Sequence, residues 1–253
     1  MGSDVRGLRQ AIAFLTRVPL SGANGFHKAA VWFPVVGALV GITTAGAYWA
    51  LFAWVPSLLG AVVAVTLGIL LTGAFHEDGL ADSFDALGSG KSGEAALEIM
   101  RDPRLGTYGT SAVILSVVWR VIAVGSLSPA GAFAGLVMAH SLGRAGAVVV
   151  LGFSPPARSD GLGWSSASSV ARRTVWLAVI FGVLVSALAA GYLVGAGVLV
   201  VGLSGLILRR TSLRRLGGVT GDILGACEQV SEILVLTVVA AAGWRGWAPW
   251  WAG

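Results

Sequence analysis

The chain has 253 residues, 56% hydrophobic and only 11% charged, whereas soluble domains carry roughly 25% charged residues. Apolar runs of about 18 residues or more recur along it, which excludes an ordinary soluble domain and indicates an all-α, polytopic integral membrane protein. The net charge of +5 does not call for nucleic acid, because the cations stand at the ends of apolar segments, where the positive-inside rule places them. The alternation over about 10 residues that marks a membrane barrel is absent. The 37 glycines suit close helix packing in lipid, and a single cysteine, Cys227, excludes an intramolecular disulfide.

In chain order, Leu8, Ile12 and Leu15 fall at helical spacing before Pro19 and predict a short interfacial helix. Arg17 breaks the apolar run there, so no cleavable signal peptide is expected. Spans are expected at roughly 30–53, 57–75, 108–127, 131–152 and 174–193. A short sixth stops at Arg209, and a seventh covers roughly 223–243. The fifth and sixth could also be one bent or re-entrant element. Polar regions at 76–106, 153–173 and 209–222 separate the spans. The closing WRGWAPWWAG resembles an interfacial anchor.

With seven spans and the N-terminus inside, 14 of the 17 Lys and Arg residues face the cytoplasm and only Arg245 faces outward, while Arg120 and Arg144 lie within spans. The expectation is one catalytic domain over 1–253, embedded in the lipid of the cell's inner membrane. Its polar regions face the cytoplasm, and homo-oligomers are possible.

Residues 76–85, HEDGLADSFD, carry the chemistry. Residues 29–75 hold no Asp, Glu, Lys, Arg or His, and then four carboxylates arrive within nine residues: Glu77, Asp78, Asp82 and Asp85. On a helix, Asp78, Asp82 and Asp85 share one face at i, i+4 and i+7. Three like charges there repel one another unless a cation such as Mg²⁺ lies between them. Gly79 leaves room for a ligand to approach. Arg101 and Arg104 can offer guanidinium forks to phosphate, with Gly106 loosening the chain before the next span. Gly217, Gly218 and Gly221 expose N–H groups at a helix start, an anion site. Thr220 or Asp222 could equally cap that helix. Glu228 and Glu232 lie deep in the last span, with Arg120 and Arg144 as candidate partners. His76 is a candidate general base, an interfacial residue or a supporting partner, and His140 reads as a packed helix residue.

Together these parts predict a Mg²⁺-dependent enzyme acting on phosphates at the bilayer surface. FLTRVPL, HEDGLADSFDAL at 76–87, IMRDPRLGTYG at 99–109 and GGVTGDILGA at 217–226 together resemble the cobalamin synthase family, also called adenosylcobinamide-GDP ribazoletransferase. Ala86, Pro103 and Leu105 depart from the family pattern without removing a charge.

The resemblance implies that α-ribazole or its 5′-phosphate attacks adenosylcobinamide-GDP and displaces GMP. It implies Asp78, Asp82 and Asp85 as metal ligands, with His76, Asp82 and Asp222 catalytic. Arg101, Arg104, Gly106, Gly217, Gly218, Thr220 and Gly221 would hold substrate. A CDP-alcohol phosphotransferase and a transporter working through Glu228, Glu232, Arg120 and Arg144 are the rival readings. The former's DGxxAR and GxxxDxxxD spacing is absent.

Overall fold

The computed structural model describes residues 2–20, 26–158 and 170–252. Asp160 and the serine cluster of the 153–173 region lie outside the described residues. The described chain is helical, and its one β-type pairing is an isolated parallel bridge between Pro156 and Val219. The elements are α1 (Gly2–Leu15), α2 (Phe26–Ala29) leading through a 3₁₀ turn into α3 (Phe33–Leu51), α4 (Ser57–Thr72), α5 (Phe75–Gly88), α6 (Glu94–Ile99), α7 (Thr107–Gly125), α8 (Pro129–Gly152), α9 (Arg172–Ala190), α10 (Val194–Leu216) and α11 (Gly221–Trp244). Five helical runs are long and apolar enough to cross a bilayer, or six when the bent α4–α5 pair is included.

The bundle is built around α8, whose apolar window is 83% buried. Its closest neighbour is α3, and the reason is two glycines. A Cβ at Gly37 would strike the His140 carbonyl, and one at Gly41 would meet the Leu136 carbonyl and Val137 Cα at 2.7 Å. Two residues without side chains, four apart on one helix face, let the backbones touch, which is how helices associate where lipid removes the hydrophobic driving force. At the far end Tyr48 donates its hydroxyl to the Leu127 carbonyl at 2.9 Å.

The run from Arg172 to Leu216 spans 45 residues, roughly 68 Å of helix at 1.5 Å per residue and twice what a bilayer needs. It is a hairpin. Gly191, at φ 58°, breaks it. The Phe153 ring meets Trp176 near the start of α9, while the Phe153 carbonyl accepts from Arg209 near the end of α10. The fifth and sixth expected spans are therefore separate helices. The sixth does not stop at Arg209 but continues to Leu216, so the RRTSLRR stretch is helical. The indoles of Trp250 and Trp251 donate to the Leu188 and Ala189 carbonyls, satisfying the open end of α9.

The expected second span ends early, at Thr72. Gly73 at φ 67° and Ala74 at φ 58° then turn the chain by 88° into α5. Two successive left-handed residues end the helix, and Ala74 holds that conformation at a cost of about 1 kcal/mol. As a result α5 lies across the end of the bundle against the start of α11. The α1 helix, buried through Ala11 and Leu15, flanks it, with Phe14 edge-on to Phe75 at 5.4 Å.

Candidate active site

The turn out of α4 sorts the two faces of α5. His76, Glu77, Gly79, Leu80 and Ser83 face inward, while Asp78 is exposed and Asp82 and Asp85 are half-buried on the other side. Gly79 serves the packing rather than a ligand: a Cβ there would meet the Asp222 carbonyl at 2.8 Å. That close approach brings Asp222, in the first turn of α11, beside the α5 aspartates. Burial and the neighbouring charges of Asp78, Asp222 and Asp85 push the Asp82 carboxyl up to about 7, with Arg158 acting in opposition.

Asp85 has a task of its own. Its carboxylate accepts from Gly106 N–H at 2.7 Å and Gly109 N–H at 2.8 Å, satisfying two open donors at the start of α7. A Cβ on either glycine would collide with it. Gly106 is therefore small to admit this carboxylate. Among the described residues, the only three His, Cys, Asp or Glu ligand atoms lying within 4.8 Å of one another belong to His140, Glu228 and Glu232, not to the aspartate face.

Arg101 and Arg104 lie on the exposed loop after α6. Arg101 pairs with Glu94 at 2.9 Å, and Arg104 holds Asp102 through two side-chain bonds of 2.9 and 2.6 Å. The guanidinium that the fold sets at the aspartates is Arg158, 4.0 Å from Asp222 and bonded to the Leu97 carbonyl at 3.4 Å. Its placement traces to Gly218. Val219 N–H donates to the Pro155 carbonyl and Ala157 N–H to the Val219 carbonyl, both at 2.9 Å. A Cβ at Gly218 would sit 2.5 Å from the Pro156–Ala157 backbone and prevent this pairing. Gly217, at φ 77°, ends α10. Thr220 is the cap of α11, accepting from Ile223 N–H at 3.3 Å. Gly221, like Gly217, stands exposed with open space around it.

Beneath the aspartate face lies a buried ionic network. Arg120 of α7 bonds Glu77 of α5 at 2.9 Å and Glu232 of α11 at 3.2 Å. Arg144 of α8 pairs with Glu228, and His140 with Glu232. His76 turns into this network, 3.8 Å from Glu228 and 5% exposed, away from the aspartates. Three carboxylates and two guanidiniums thus tie four helices together, and removing one partner of such a buried pair costs roughly 3–5 kcal/mol. His140 is part of the network rather than a simple packed residue. Its role and that of Glu77 depend on which helices meet, which spacing along the chain does not reveal.

The profile of the cobalamin-5-phosphate synthase family matches residues 7–240. A relative from Bradyrhizobium diazoefficiens, named adenosylcobinamide-GDP ribazoletransferase, is 43% identical over 252 residues, covering 94% of each chain. Relatives of the same name from Ralstonia pickettii and Shewanella amazonensis are 39% and 35% identical, covering 91% and 90% of this chain and 93% and 92% of their own. No solved structure matches. With the family profile and full-length relatives agreeing over nearly the whole chain, this protein belongs to the cobalamin-5-phosphate synthase family.

Proposed function

We propose that the protein transfers α-ribazole, or its 5′-phosphate, onto adenosylcobinamide-GDP with release of GMP, the last step in assembling the cobalamin nucleotide loop. A ribazole hydroxyl oxygen forms the new bond to the cobinamide-linked phosphorus. The bond from that phosphorus to the GMP oxygen breaks, and the hydroxyl gives up its proton. The observation that carries this reading is the half-buried Asp82, surrounded by Asp78, Asp85 and Asp222 and opposed by one guanidinium.

These hard oxygen donors and their excess negative charge fit Mg²⁺. Asp78, Asp82 and Asp222 would hold it, since Asp85 is committed to the start of α7. Bound there, the ion would neutralise charge on the diphosphate and on the departing GMP. Arg158 grips a phosphate oxygen from the adjoining wall. Arg101 and Arg104 stand at the rim, where exchanging exposed carboxylate partners for a nucleotide phosphate costs little. His76 is turned inward, so the proton acceptor is an aspartate or water. A strong base is not required, because phosphoryl transfer proceeds through a loose transition state.

The site faces the cytoplasm in this reading, because the basic residues gather at its end of the bundle. Purified protein incubated with adenosylcobinamide-GDP, ribazole and Mg²⁺ is expected to form GMP and the ribazole-bearing corrinoid in equal amounts. Folded protein that forms neither, or GMP alone, contradicts the proposal.

A further inference from the structure

A cavity lies away from the aspartates, between α9 and α10 on the surface of α8, with a volume of about 340 Å³. Its walls are aliphatic, including Leu142, Val149, Val183 and Val198, and Arg209 closes one end. From Val198 to Arg209 it follows roughly 16 Å of helix. Its α10 side is open: Val198, Gly202 and Leu206 are exposed, and a Cβ at Gly202 would meet nothing within 4 Å. Such a cavity offers water no hydrogen-bonding partners along its length and suits an apolar chain.

The charged end says what that chain is attached to. Arg209 spends Nε and Nη2 on the Phe153 carbonyl and Ser154 hydroxyl, leaving Nη1 without a hydrogen bond among the described residues. The Arg172 guanidinium lies over the Phe153 ring, 5.9 Å from its centroid. Neither arginine has a carboxylate partner among the described residues, and between Asp102 and Asp222 the chain contains one acid, Asp160. We propose that this cleft is a binding site for an anionic phospholipid, one acyl chain lying between α9 and α10 and the phosphate held by Arg209 and Arg172. A zwitterionic lipid would bring its own cation against the two arginines.

Native mass spectrometry of the full chain tests this, after incubation with equal amounts of phosphatidylglycerol and phosphatidylcholine bearing identical acyl chains. Phosphatidylglycerol is expected to be retained in excess, by roughly fivefold for each arginine engaged. Gly202→Leu puts a side chain into the cleft and is expected to lose both lipids. Arg209→Gln is expected to keep acyl-chain binding while losing the preference for phosphatidylglycerol, which also covers the case of a poorly folding Gly202→Leu. Equal retention of the two lipids by the unaltered protein overturns the proposal, as does retention unchanged by either substitution. An inorganic phosphate adduct that needs Arg209 but is indifferent to Gly202→Leu would make this a free-phosphate site and overturn the lipid assignment.

Discussion

Asp82 gives the site a pH signature. Its folded-state carboxyl is raised to about 7, so the fold favours the protonated form. The metal-free protein therefore loses stability as pH rises from the ordinary Asp value of about 4 through the raised one. Mg²⁺ binds the ionised form, so the increase in melting temperature on adding Mg²⁺ should be larger above the raised value than below it. Thermal melts with and without Mg²⁺ on both sides of that pH check this, and an increase independent of pH contradicts it. Arg158→Gln is expected to lower kcat/KM by roughly tenfold to a hundredfold through loss of a charge-assisted phosphate contact, with little change in melting temperature. The aspartate face is legible in sequence because charge arrives abruptly after an apolar run. The particular duty of Asp85 is not, because its N–H donors come from Gly106 and Gly109 at the start of another helix. Arg158 is hidden too, because its position depends on the Gly218 contact rather than on spacing within a motif.

Among the elements, α5 decides whether a site exists, and it is held from below by ion pairs and at its start by the Gly73–Ala74 turn. Helical spacing places Glu228 and Glu232 on one face and suggests Arg120 and Arg144 as partners. It cannot show that the turn after Thr72 swings Glu77 and His76 into the same network. Glu232→Gln is expected to cost roughly 3–5 kcal/mol, since it leaves His140 without its carboxylate and Arg120 with Glu77 alone. Gly41→Leu should destabilise by roughly 1–3 kcal/mol by forcing α3 away from α8. Denaturation of the purified variants measures both, and near-unchanged stability in either would show that the contact is not under load.

For the molecule as a whole, the all-α membrane architecture follows from composition, and most helix limits fall within a few residues of the apolar runs. The exceptions, Thr72 and Leu216, are places where backbone conformation or a basic helical extension overrides hydropathy. The aspartates, Arg158 and the caps of α7 and α11 all meet at one end of the bundle. The most direct test of the proposed chemistry is Mg²⁺-dependent GMP release by purified Asp82→Asn beside the unaltered protein. Because the substitution removes a carboxylate repelled by its neighbours, the variant should fold at least as well while losing turnover by roughly a hundredfold or more. Near-normal, Mg²⁺-dependent GMP release by folded Asp82→Asn would contradict it.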